Sequence, residues 1–234
     1  LLTGFGLRDS IVNVVDYQYE EVTVYDLEVY FREDQPLRSH HTFYRELGEQ
    51  VEDVLYYHQS SVDMDFNNRT KEIYMISADN RLQNFINLHS GENQVPLPGL
   101  NEIVLSVGVT EMLGMQVGDT VTIRNPDMQV MELTVSGIYD NHINNYSIVS
   151  PQTIAQNCGK APEQQMAFVK VAAGYDPHEV SAQISNLDNV MNVSVAEDMA
   201  HMVGSMMTAL DLVIWVIVLS AGLLAVIVLY NLTN

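Results

Sequence analysis

A stretch without charge near the C-terminus constrains the fold of this chain most. Residues 212–230 contain no charged side chain and are apolar on every face, whereas a helix in a soluble core shows a polar stripe. About 19 residues at about 1.5 Å each reach about 28 Å, close to the thickness of the hydrocarbon core of a bilayer. The alternative is a helix buried in a large soluble core, but a chain of 234 residues offers little protein to surround it. We interpret the stretch as a transmembrane helix.

The predicted transmembrane residues include small and aromatic side chains. Ser220 and Gly222 are small residues of the kind that let membrane helices approach one another. The residues on which this prediction rests are Leu212, Trp215, Ile217, Gly222, Leu229 and Tyr230.

The residues before the apolar stretch predict a stalk. Apolar side chains recur at helical spacing from residue 198 to residue 210, and no proline separates them from the apolar stretch, so residues 198–234 are expected to form one continuous helix. A second stalk helix is expected at the other end of the chain, over residues 11–20. The methionines indicate either ordinary packing or a contact that slides between two states. The predicted stalk residues are Ile11, Val14, Val15, Met199, Met202, Val203 and Met206.

Charge indicates the side of the membrane. Thirty acidic and ten basic residues leave a net charge of −20, which argues against binding to nucleic acid or to anionic lipid. Residues 1–7 are expected to be the end of a preceding apolar helix, with Arg8 at its exit. We therefore expect residues from about 8 to 210 to lie on the extracytoplasmic side of the plasma membrane.

Two similar patterns flank a long middle segment. Residues 21–68 predict a strand with an irregularity near Asp26, then a helix, then a strand over residues 54–66; in the first strand Glu28 and Tyr30 alternate with apolar residues. Residues 164–197 repeat the strand–helix–strand order, with Asp176 as the helix cap. The predicted fold class is α+β: a ferredoxin-like (split β-α-β) outer domain, with residues 69–163 as an inserted small, mainly β domain.

Two predictions about packing follow from this division. Within the insert, residues 78–87 are expected to be helical. The outer domain and the insert are each expected to have a core of their own. The outer core is assigned Val62, Met64, Phe66, Phe168 and Val169, and the core of the insert Val121, Ile123, Val135 and Ile138.

Sequence motifs for catalysis or ligand binding are weak. Asp63-x-Asp65-x-Asn67 resembles the start of a calcium loop, but Asn68 and Tyr74 stand where that loop needs glycine and glutamate. His40, His41 and His58 form a metal site only if the fold brings them together. The sequence therefore predicts no catalytic residue, no metal and no cofactor, and we expect the chain not to be an enzyme.

Several stretches resemble a known family. Residues 223–234 and 2–11 are similar to membrane-helix sequences of the FtsX-like permease domain in MacB-type ABC-transporter permeases of Gram-positive anaerobes. The segments 102–123 and 133–138 look like the extracellular core of the same proteins. The resemblance implies a domain on a stalk between two membrane helices, a permease dimer or pseudo-dimer, and a cytoplasmic ABC ATPase subunit that performs the ATP hydrolysis. It implies that motion driven by this ATPase passes through the stalk to engage an unknown extracellular substrate or partner.

Two other functions fit the same pattern. One is an ectodomain that senses a peptide or another ligand and signals to a kinase, and the other is a regulator of cell-wall hydrolases. A neighbouring ATPase gene alone would favour transport, and an adjacent two-component system would favour sensing.

Overall fold

The computed structural model describes residues 22–35, 44–141 and 145–233. Its strands, in chain order, are β1 (Leu27–Phe31), β2 (Val51–Phe66), β3 (Arg69–Ala78), β4 (His89–Ser90), β5 (Asn93–Gln94), β6 (Glu102–Ser106), β7 (Thr120–Arg124), β8 (Val130–Tyr139), β9 (Tyr146–Val149), β10 (Met166–Val171) and β11 (Val190–Val195). Its α-helices are α1 (Val107–Leu113), α2 (Pro151–Cys158), α3 (Pro177–Ser185) and α4 (Ala196–Thr233), and residues 44–47 are also α-helical. Short 3-10 helices lie at Gly48–Gln50 and Asn80–Asn84.

Local sequence signals set the ends of the helices. The side chain of Asp176 accepts a hydrogen bond from the backbone N–H of His178 and caps α3, and Ser150 caps α2 in the same way through Thr153. The predicted helix over residues 78–87 is wrong in type, because only a 3-10 helix forms there, at Asn80–Asn84.

Four strands form the first part of the sheet, in the order β11-β1-β10-β2, and every neighbouring pair is antiparallel. Helix α3 lies on one face and contributes Val180 and Ile184 to the core. Because side chains alternate along a strand, the residues that contact this helix face are every second one. They include Leu27, Val29, Val54, Tyr56, Ala167 and Val169.

The second part of the sheet closes on itself. From β2 the order continues β3-β9-β6-β8-β7, and β7 pairs again with β2 through residues 63–65, so six strands complete a ring. Strand β2 has 16 residues and pairs with β10 through residues 51–57 and with β3 through residues 57–66, and it therefore belongs to both parts. The core enclosed by the ring includes Ile73, Met75, Ile103, Leu105, Leu133 and Val149.

The core residues are distributed differently from the prediction. Val62, Met64 and Phe66 were expected in the outer core, but they pack inside the ring with Val121, Ile123, Val135 and Ile138. The last part of β2 extends past β10, so its partners there are β3 and β7. Phe168 and Val169 lie on opposite faces of β10 and belong to two other cores.

A middle core joins the two parts. Leu55, Tyr57 and Phe168 from the first part pack in one cluster with Val104 and Ile148 from the second. Because apolar burial stabilises both contributors at once, the two parts share packing as well as strand β2.

Candidate coupling site between the sheet and the apolar helix

Helix α4 starts directly where the sheet ends. Strand β11 finishes at Val195, and α4 runs without interruption from Ala196 to Thr233, which is 38 residues. Glu197 and Asp198 lie in the first turn, where negative side chains interact favourably with the positive end of the helix dipole. The last strand and the first turn of a long helix are therefore directly continuous.

The C-terminal half of α4 has the length and composition of a membrane span. The 18 residues Trp215–Leu232 have a mean hydropathy of 2.3, and none of them is buried against the protein. Trp215, Ile217, Leu229 and Tyr230 are each more than half exposed, and a Cβ added at Gly222 would meet no neighbour. A continuous apolar surface of this kind requires an apolar environment, which the hydrocarbon core of a bilayer provides. The side chain of Leu212 lies outside the described part.

Polar groups within this helix are satisfied locally. Ser220 Oγ donates a hydrogen bond to the carbonyl oxygen of Val216, at 2.7 Å, one turn earlier in α4. Backbone and hydroxyl groups that bond within the same helix need no water, which suits a segment in lipid.

The predicted stalk falls partly within the described residues. Met199 and Met202 are exposed on α4, so the described part of the domain does not cover them. The side chains of Val203 and Met206 lie outside the described part, as do the residues Ile11, Val14 and Val15. The predicted pairing of the two stalk helices thus remains a prediction.

Asp26 joins the start of α4 to two strands. Its carbonyl oxygen accepts a hydrogen bond from the backbone N–H of Ala196 at 2.9 Å, and its own N–H donates to the carbonyl oxygen of Val169 at 3.0 Å. Its carboxylate Oδ2 accepts from the backbone N–H of Val171 at 2.8 Å, where the pairing of β10 with β2 shifts register. One residue thus connects the first residue of α4 with β10 and with the segment that leads into β1.

Side chains add a second link between α4 and the domain. His178 Nδ1 on α3 lies 3.7 Å from Asp198 Oδ2 on α4, and within α4 His201 Nε2 lies 3.5 Å from Glu197 Oε1. All four side chains are largely exposed, and each histidine is charged only when protonated. Exposed ion pairs contribute at most about 1 kcal/mol, so the backbone contact at Asp26 is the stronger candidate for coupling.

Two open clefts lie elsewhere on the domain. One, of about 450 Å³, lies between the end of β9 and Leu97, and the other, of about 310 Å³, lies beside Cys158 and His58. Burial and the nearby Asp127 raise the pKa of the Cys158 thiol, which disfavours the reactive thiolate. Within the described ranges, no three His, Cys, Asp or Glu side chains are placed to hold a metal ion. His58 Nδ1 lies 2.8 Å from the carbonyl oxygen of Glu163, whereas His40 and His41 fall outside these ranges.

Sequence reasoning did not identify Asp26 as a contact residue. The interrupted alternation near Asp26 was the available signal, and it marks the point where β1 begins, at Leu27. The partner Ala196 is remote in the sequence, so only the fold brings the two residues together.

A mixed α/β body whose last strand continues into an exposed apolar helix defines an ectodomain attached to a membrane helix. The family profile of the MacB-like periplasmic core domain matches residues 3–187, which is most of the chain. The chain therefore belongs to the MacB-like periplasmic core domain family. It is the extracytoplasmic domain of a MacB-like ABC-transporter permease together with one candidate transmembrane helix.

Comparison with solved structures finds two transporter ectodomains among those similar to this chain. The periplasmic region of MacB from Actinobacillus actinomycetemcomitans is 8% identical, with a TM-score of 0.48, over 81% of this chain and 97% of that chain. The extracellular domain of the noncanonical ABC-type transporter YknZ from Gram-positive bacteria is 13% identical, with a TM-score of 0.46, over 73% of this chain and 98% of that chain. No curated protein matches the sequence significantly.

Proposed function

We propose that this domain engages a substrate or partner outside the membrane and transmits motion driven by a cytoplasmic ABC ATPase through its stalk. The observation that supports this most is the direct continuation of β11 into α4, held to Asp26 by the backbone bond from Ala196. An α-helix of 38 residues reaches about 57 Å at about 1.5 Å per residue, far enough to pass from the sheet through a bilayer.

The proposed architecture has four parts. Residues 1–20 are the end of a preceding membrane helix and a stalk helix, and residues 198–234 are the second stalk helix and the membrane helix. Residues 21–68 with 164–197 form a ferredoxin-like domain, into which residues 69–163 are inserted. The antiparallel order β11-β1-β10-β2 supports the ferredoxin-like division, since it is the order of a split β-α-β fold. Strand β2 and the middle core link the insert to that domain, so the two parts would move together.

The proposed setting is the plasma membrane, with residues from about 8 to 210 outside. The net charge of −20 suits the extracytoplasmic side, because short cytoplasmic loops favour Lys and Arg. The partners we propose are the ABC ATPase subunit, a second permease subunit or pseudo-symmetric half, the lipid bilayer and an unidentified extracellular substrate.

A kink in the stalk tests transmission. Proline inside a helix costs about 3 kcal/mol or more and bends it, so Val203→Pro should leave the sheet folded and the membrane helix inserted. In the complete transporter with its ATPase, ATP turnover should continue while export falls. Val203→Ala, which keeps the helix straight, is the matched control and should export normally.

The folded state and the kink must be verified in the same preparation, by circular dichroism and by distances between spin labels on either side of residue 203. Normal export by a variant with a verified kink would show that the helix is only a tether. The sensing function would then be favoured.

A further inference from the structure

A glutamate with two tyrosine partners lies on the face of the sheet opposite α3. Glu28 is on β1, where it pairs with Phe168 of β10 on one side and Ser194 of β11 on the other. Tyr30 OH donates a hydrogen bond to Oε2 at 2.9 Å, and Tyr57 OH on β2 donates to Oε1. Both carboxyl oxygens are thus held by phenols, and the bond to Tyr57 connects β1 with β2 across β10.

Aromatic rings limit the access of water to this carboxyl group, and Glu28 is partly buried. Phe168 stacks between Tyr57 and Tyr25, with ring centroids 4.1 Å and 4.2 Å apart, and Phe85 packs behind it at 6.5 Å. Tyr57 is completely buried. Removing a carboxyl from water disfavours its charged form, whereas hydrogen bonds from hydroxyl groups favour that form.

The titratable neighbours are mostly phenols. They come from the segment before β1, from β1 itself, from β2 and from β9, and they are Tyr25, Tyr30, Tyr57 and Tyr146. On β10 the ammonium group of Lys170 lies over the ring of Phe85, 5.5 Å from its centroid. Over the described ranges Glu28 has no ion pair, so phenols are the groups that offset its burial.

Burial outweighs the two hydrogen bonds in its effect on ionisation. It raises the pKa of Glu28 above the ordinary 4.5, and the bonds from Tyr57 and Tyr30 lower the pKa only in part. The pKa of Tyr57 and that of Tyr30 are also raised, first by burial and then by Glu28, so both phenols stay protonated and remain donors.

We propose that Glu28 is a proton-binding site, through which an acidic extracytoplasmic medium stabilises the folded sheet at β1. In the neutral form the carboxyl group is buried at little cost. In the ionised form the negative charge is stabilised by hydrogen bonds from two phenol hydroxyls. The site lies two residues beyond Asp26 on the same segment, so a change in its protonation acts beside the attachment of α4.

The sign of the pH effect follows from the direction of the shift. A carboxyl that binds its proton more tightly in the folded state stabilises the fold, and this contribution is fully present below pH 4.5, the pKa of the carboxyl in the unfolded chain. The contribution is lost as the pH rises through the higher pKa of the carboxyl in the folded state.

The test uses the full chain in detergent micelles and two matched variants. Glu28→Gln imitates the neutral carboxyl, and Glu33→Gln changes an exposed glutamate shortly after β1. The denaturant midpoint should fall as the pH rises above 4.5 in the unmodified protein and in E33Q, and this fall should be reduced in E28Q. The same pH dependence in E28Q and the unmodified protein would overturn the proposal.

A second measurement does not depend on the folding of the variants. Titration of the carboxyl carbons of labelled glutamate by NMR should show Glu28 releasing its proton above the ordinary pKa of 4.5. Tyr57→Phe should move the Glu28 titration higher still, because the ionised form loses a donor. A Glu28 carboxyl that titrates at or below 4.5 would refute the site.

Discussion

The backbone N–H of Ala196, the first residue of α4, donates a hydrogen bond to the carbonyl oxygen of Asp26, 2.9 Å away. The side-chain carboxylate of Asp26 also accepts a hydrogen bond from the backbone N–H of Val171. Helix α4 is therefore attached to the sheet by a backbone hydrogen bond at the end of β11, and the side chain of Asp26 binds β10 beside that attachment.

Replacing the side chain of Asp26 should weaken this attachment. Asp26→Ala leaves the N–H of Val171 without its acceptor, and an unsatisfied backbone donor costs about 1–3 kcal/mol. Asp26→Asn keeps an acceptor oxygen, so its free energy of unfolding should fall much less. Denaturant unfolding of the full chain in micelles, followed by circular dichroism, measures both. Equal losses for the two variants would mean that charge, rather than the hydrogen bond, is what Asp26 supplies.

Gly137 on β8 should tolerate no side chain. A Cβ at this position would lie 2.6 Å from Cγ1 of Val95, much closer than van der Waals contact. Overpacking of this kind typically costs about 1–3 kcal/mol, so Gly137→Ala should lower the free energy of unfolding by that amount. Gly108 on α1 is the control, because a Cβ there would meet its nearest neighbour at 3.8 Å. Gly108→Ala should be neutral or stabilising, and a similar loss in both variants would contradict the packing argument.

Truncation of Met64 tests the shared strand. Met64 is completely buried inside the ring, so Met64→Ala should cost about 2–5 kcal/mol. Met191 on β11 is 61% exposed, and Met191→Ala should change stability by less than about 0.5 kcal/mol. Because β2 and the middle core connect the two parts, hydrogen exchange should increase in β10 as well as in β3. Faster exchange confined to β3 and its neighbours in the ring would show that the two parts unfold separately.

Several elements could be predicted because their signals are local. The strand–helix–strand order over residues 164–197 predicted β10, and the Asp176-Pro177 pair predicted the start of α3. The apolar residues before and within the C-terminal stretch predicted the single helix α4. Each of these signals involves residues within a few positions of one another, so no tertiary information was needed.

The assignment of residues 62–66 to the outer core failed because alternation shows which residues share a face and not what covers that face. Val62 and Met64 alternate correctly along β2, yet the partner of that half of the strand is the ring. Residues 78–87 have helical spacing, but the chain forms only a short 3-10 helix there. Leu82 in that helix and Phe85 directly after it are nevertheless buried.

The two candidate sites depend on long-range contacts. Glu28 reads as the solvent-facing residue of an alternating strand, and only its contacts with Tyr57 and Phe168 on other strands make it partly buried. Asp26 likewise shows its role only when β11 brings Ala196 beside it. Sequence reasoning had the irregularity at Asp26 but no means to identify its partner.

The membrane helix can be tested by introducing charge. Ile217 and Ala221 are exposed one turn apart on the same side of α4, within the 18-residue apolar window. Each charge near the centre of a membrane helix costs about 2.5–3.5 kcal/mol on insertion scales, so Ile217→Lys with Ala221→Lys should release this chain from membranes. Ile217→Leu with Ala221→Val keeps the helix apolar and should remain in the membrane fraction after a carbonate wash. If the lysine variant also stays in that fraction, residues 215–232 do not anchor the chain.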